Sequence, residues 1–119
     1  MTMAFQLVSH KDPHGRYAVL RTDGYINNQA GERIGEAAKA LLNEGYGRLV
    51  INLEKSTVIN SIGISILIEV LERIQDHQGA LAFCCLTKTI AKTFTIMGLT
   101  HYASIHDAEP GAVAWVASS

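Results

Sequence analysis

Apolar positions in this chain recur with two different periods, and the changes of period mark out its elements. Phe5 to Ser9 and Tyr17 to Thr22 are strand-like runs. Between them, Asp12-Pro13-His14-Gly15 is favourable turn chemistry, because proline presets the second turn position and glycine closes the turn. The pattern predicts an N-terminal hairpin. From Gln29 to Glu44, Ile34, Ala37, Ala38, Leu41 and Leu42 recur at spacings of three and four, while Glu32, Arg33, Glu36 and Lys39 take the other side. That spacing predicts an amphipathic helix, stopped near Gly45.

Arg48 to Leu53 is a short, β-branched apolar run without clean alternation, as expected for a strand buried on both faces. A helix from about Ile62 to His77 follows, and then a second buried run, Ala80 to Leu86. Strand, helix and strand of these lengths predict a right-handed βαβ crossover with its two strands parallel in one sheet. Thr87 to Met97 reads as another helix with Ile90, Ala91, Phe94 and Met97 inward, and Ser104 to His106 as a short last strand. Pro110 to Val116 reads as a terminal helix docking Val113 and either Trp115 or Val116. No internal repeat, linker or low-complexity stretch interrupts this series. The expected architecture is an α/β fold spanning residues 1–119 as one domain, with a mixed sheet of four to five strands, an N-terminal hairpin, parallel βαβ crossovers and about four helices.

Composition narrows the functional classes. In 119 residues, 48% are hydrophobic, enough for a substantial core. The net charge is -1, with lysines and arginines scattered, so there is no electrostatic footprint for nucleic acid or an anionic membrane. No window approaches the roughly 20 apolar residues that cross a bilayer, and Met1-Thr2-Met3-Ala4 lacks the plan of a signal peptide. The expected location is cytoplasmic, without membrane insertion. Cys84 and Cys85 lie side by side in an apolar run, where adjacent strand positions point to opposite faces; they read as reduced core residues.

Catalytic machinery is not visible. None of His10, His14, His77, His101 and His106 is paired with Cys, Asp or Glu at a metal-site spacing. The glycine pairs Gly31/Gly35 and Gly45/Gly47 neither precede Lys-Ser/Thr nor complete a dinucleotide fingerprint. No serine sits in a Gly-x-Ser-x-Gly elbow, and Glu54 and Glu69, the carboxylates nearest Ser61, have no histidine nearby. The expectation is a non-enzyme with no metal and no cofactor.

The stretch "STVINSIGISILIEVL" at residues 56–71 carries the remaining signal. Asn60 or Ser61 can cap the helix that follows, a side-chain oxygen meeting a free amide of the first turn. At about 100° per residue, Ile64, Leu67, Ile68, Leu71 and Ile74 gather on one face, and Ile62 and Ile66 fall opposite, among Ser65, Glu69 and Arg73. Two isoleucines a turn apart beside a helix start predict a small exposed patch of the kind that marks partner surfaces.

At these residues the chain resembles a known family. "LVINLEKSTVINSIGISILIEVLERIQDHQGALAFCCL" is similar to the centre of the STAS domain of bacterial anti-sigma factor antagonists, in which an apolar strand runs into Asp-Ser-Ser/Thr-Gly-Ile/Leu and a helix. "LRTDGYIN" resembles the end of the family's second strand, and "IAKTFTIMGL" its third helix with the Gly-Leu that follows. The resemblance implies a switch. Unphosphorylated, such an antagonist binds an anti-sigma factor that is also a serine kinase; phosphorylation of the first serine of the motif, which falls on Ser61, ends the binding, and a serine phosphatase restores it. Asn27, Asn60, Ile62, Gly63 and Ile66 then form the partner-binding surface, with Gly63 admitting close approach. The sequence departs from the pattern where Asn60 and Asn27 replace acidic residues and Ile62 replaces Ser or Thr.

Two other readings compete. One is a STAS-type scaffold without a phosphorylation cycle, in a sensory complex or a lipid-transport assembly. The other is a small-ligand or nucleotide-binding regulator that uses the crevice near Asn27 and Asn60. A homodimer is compatible with each.

Overall fold

A computed structural model describes residues 4–119; residues 1–3, part of the start read as lacking a signal plan, lie outside the described residues. In chain order the elements are β1 (Gln6–Lys11), β2 (Ala18–Asp23), α1 (Asn28–Asn43), β3 (Arg48–Lys55), α2 (Ser61–Asp76), β4 (Ala80–Cys84), α3 (Lys88–Ile96), a 3-10 turn (Leu99–His101), β5 (Ser104–His106) and α4 (Glu109–Ala117). The predicted hairpin forms, with β1 antiparallel to β2 from Gln6 opposite Asp23 to Lys11 opposite Ala18. Its turn is held by the buried Asp12, whose Oδ2 accepts from the amide and Nε of Arg16 at 3.0 and 2.9 Å.

The sheet order is β1-β2-β3-β4-β5, and every pair after the hairpin is parallel. Three crossovers that each advance one strand in the same direction place α1, α2 and α3 on one face. Strand alternation then splits the core in two. Leu20, Leu49, Ile51, Leu53, Leu81 and Phe83 meet the three helices, with Phe83 and Phe94 of α3 packed edge to face at 5.0 Å. Val19, Val50, Ala82 and Cys84 point the other way, onto Ala112 and Val116 of α4. Glu109, in the first turn of α4, is clamped to the sheet by two hydrogen bonds from Arg21 at 2.8 Å and one from Asn52 at 3.0 Å.

Three expectations need correction. The run Ala80 to Leu86 leaves the sheet at Cys84, because Cys85 turns into the left-handed region at φ +64°. That turn breaks the alternation, so Cys85 packs against the same α4-side cluster as Cys84, and the two do not face opposite sides. Met97 is half-exposed, because α3 ends at Ile96 and Gly98, at φ +82°, redirects the chain before the side chain can turn inward. In α4 the open alternative resolves to Val113 and Val116 as the docking residues, while Trp115 is partly exposed beside His106.

Candidate functional site

The carboxyl ends of β2 and β3 run on into two connections that lie side by side. Gly24 N–H donates to the Lys55 carbonyl at 2.9 Å, Ile26 N–H to that of Val58 at 3.0 Å, and Asn60 N–H to that of Ile26 at 3.0 Å. Ile26 and Ile59 form an isolated parallel bridge. The tripeptides Tyr25-Ile26-Asn27 and Val58-Ile59-Asn60 occupy equivalent places in the two connections. In each, the central isoleucine turns toward the core and the asparagine caps the next helix. Asn27 Oδ1 accepts from Ala30 N–H at 3.0 Å, and Asn60 Oδ1 from Gly63 N–H at 2.7 Å. In the sequence the echo reads only as "YIN" and "VIN", too short to stand out as a repeat before the two connections are seen side by side.

Asn60, and not Ser61, is therefore the cap of α2. Its second polar atom also has work: Nδ2 donates to Asn28 Oδ1 at 3.0 Å and ties the two helix starts together, a bond an ionised aspartate could not donate. Neither α1 nor α2 has an acidic residue in its first turn, so two positive helix ends stand adjacent without side-chain compensation.

Ser61 occupies the first helical position and is exposed. Its carbonyl accepts from Ser65 Oγ at 3.0 Å, but its own hydroxyl has no hydrogen-bond partner among the described residues. Ile62 beside it is 47% exposed, as its place in the helix predicts. Tyr25 and Val58, the leading residues of the two tripeptides, are 49% and 56% exposed and add to the apolar surface at this end of the sheet. Sequence reasoning passed over both, because a single apolar residue in a connection is unremarkable until its partner connection lies alongside.

Two of the expected surface residues turn inward. Gly63 is buried; a Cβ there would stand 2.8 Å from the Ile26 carbonyl oxygen, so glycine permits the close approach of α2 to the connection that follows β2. Ile66 is half-buried against α1, where Gly31 and Gly35 leave room for it: a Cβ at Gly31 would meet Ile66 Cδ1 at 2.8 Å, and one at Gly35 would meet its Cγ2 at 3.3 Å. The helical projection placed Ile66 away from the sheet correctly, yet a neighbouring helix covers that side. Ile62, Tyr25 and Val58 take the place of the Ile62/Ile66 pair as the exposed apolar group.

No group of three or more His, Cys, Asp or Glu side chains that could hold a metal occurs among the described residues. No described helix is long and apolar enough to cross a membrane.

Similarity to known proteins agrees with this arrangement. A curated protein of Bordetella bronchiseptica that carries the provisional name anti-sigma factor antagonist BtrV is 24% identical over 91 residues, covering 76% of this chain and 78% of that protein. The crystal structure of an anti-sigma factor antagonist from Mycobacterium paratuberculosis superposes with a TM-score of 0.81 at 17% identity, over 95% of this chain and 94% of the other. The Bacillus cell fate determinant SpoIIAA in its phosphorylated form gives 0.73 at 21% identity, over 95% and 99%. These structures share the fold: a five-stranded mixed sheet, antiparallel only at its first pair, with four helices. The family model for the STAS domain matches residues 8–112, and the chain belongs to the STAS domain family.

Proposed function

We propose that this protein is an anti-sigma factor antagonist whose unphosphorylated form binds an anti-sigma factor with serine kinase activity, and that phosphorylation of Ser61 releases it. A serine phosphatase resets the cycle. The observation that carries this reading is the exposed, unbonded hydroxyl of Ser61 at the start of α2, with Tyr25, Val58 and Ile62 exposed at the same end of the sheet. Asn27, Asn28 and Asn60 are the polar residues at the two helix starts beside them, with Asn60 bonded to Asn28.

The switch follows from where charge is tolerated. In the free protein a phosphate at the first position of a helix meets the positive end of the dipole and free amide protons, so it leaves the fold standing. In a complex it brings about −1.5 to −2 charges into an apolar contact. Desolvating a charge without a partner costs several kcal/mol, and about 1.4 kcal/mol is a factor of ten in affinity. Binding falls by orders of magnitude while folding is barely touched.

One observation favours a second reading, a STAS scaffold that acts without phosphorylation. Asn60, at the place where the family pattern has a carboxylate, is fully engaged in capping α2 and holding Asn28. Incubation with ATP and a candidate anti-sigma kinase, followed by intact-mass measurement, separates the two. The switch predicts one added phosphoryl group, absent in Ser61→Ala; an unchanged mass supports the scaffold.

A further inference from the structure

Cys84 and Cys85 stand at the carboxyl end of β4, where the chain leaves the sheet for α3. On a continued strand their side chains would diverge. Cys85 instead lies at φ +64°, a conformation that among the described non-glycine residues only Gln78 shares, and such positions are held at a cost by the surrounding structure. The turn is fixed by its amide, which donates to the His106 carbonyl at 3.2 Å. As a result both sulfurs belong to the α4 side. Cys84 is fully buried among Val50, Ala82, Ala112 and Val116, and Cys85 is half-buried at the rim of the same cluster. Both are free thiols, and the Ser61 switch uses neither.

We propose that Cys84 and Cys85 form a vicinal dithiol that is reversibly oxidised by low-molecular-weight disulfides. The reactive form is a thiolate, and the accessible Cys85 supplies it after losing its proton to water. Its sulfur attacks one sulfur of the disulfide, the disulfide's S–S bond breaks, and one thiolate leaves. Cys84 then attacks the Cys85 sulfur, gives its proton to water, and expels the second thiolate. Two protein thiols are oxidised to one disulfide and one small disulfide is reduced to two thiols.

Burial, with Cys85 adding to it, pushes the Cys84 thiol well above its ordinary range, so Cys84 is the resolving and not the attacking group. Adjacent α-carbons are about 3.8 Å apart, closer than the roughly 4.4–6.8 Å of most bridged cysteines. The ring is therefore strained and readily reopened by added thiol, which suits a reversible site.

The test treats the folded chain with oxidised glutathione and measures intact mass. The expected result is a loss of two hydrogens, reversed by dithiothreitol. Cys84→Ser should instead trap one glutathione on Cys85, and Cys85→Ser should stay unmodified. Should either variant fail to fold, peptide mapping of the wild-type chain after brief native alkylation should find Cys85 labelled and Cys84 protected. An unchanged wild-type mass, a glutathione that persists on wild-type Cys85 without ring closure, or equal labelling of the two thiols would overturn the proposal.

Discussion

Three neighbouring residues at the start of α2 differ in what they can lose. Ser61 donates no hydrogen bond among the described residues and points to solvent, so Ser61→Ala should leave the melting temperature unchanged. Asn60 holds both Gly63 N–H and Asn28 Oδ1, and Asn60→Ala should cost about 1 kcal/mol or slightly more, a fall of roughly 3–6 °C for a chain of this size. Calorimetry on the two variants checks both outcomes. Gly63→Ala should be worse than either substitution, because its new methyl would press on the backbone oxygen of Ile26, which cannot swing aside like a side chain. A hydroxyl that the fold does not use thus sits between two residues that it does use.

Among the elements, the α1/α2 contact sets a clear prediction. Ile66 fills the space over Gly31 and Gly35, so Ile66→Glu should destabilise the protein by about 1–3 kcal/mol in urea unfolding, since the apolar contact with α1 is lost and a charge is pressed against that helix. An exposed isoleucine would have shown no loss. Much of this level was legible in the sequence: the helices α1 and α2, the parallel strands β3 and β4 and the opening hairpin follow from periodicity and turn chemistry alone. Periodicity tells which side of a helix is apolar, but not what covers the other side, which is why it predicts the exposure of Ile62 and not the cover that α1 gives Ile66. The capping residue was ambiguous between Asn60 and Ser61 because both are good caps, and only backbone pairing with Ile26 decides between them. Cys85 lay beyond sequence reasoning for a related reason: its left-handed backbone is imposed by the bond to His106, more than twenty positions later in the chain.

Across the whole molecule, one helix closes the second face of the sheet, and its attachment depends on charge. Arg21 first, and Asn52 after it, hold the Glu109 carboxyl below its ordinary value of 4.5, against an opposing effect of burial. A depressed folded value means that the unfolded chain binds protons more readily. The contribution of Glu109 is therefore present above pH 4.5 and is lost as pH falls through the lower folded value. Glu109→Gln should lower the melting temperature at pH 7 and converge with the wild type in strong acid; an equal gap at both pH values would assign the loss to packing. At the same carboxyl end of the sheet, past β2 and β3, lie the apolar side chains Tyr25, Val58 and Ile62 and the hydroxyl of Ser61. The most direct test is a calorimetric titration of a candidate anti-sigma factor kinase with Ser61→Ala and Ser61→Asp, both confirmed folded. Ser61→Ala should bind as the unphosphorylated wild type does and Ser61→Asp at least tenfold more weakly, whereas equal affinities would contradict a switch at this helix start.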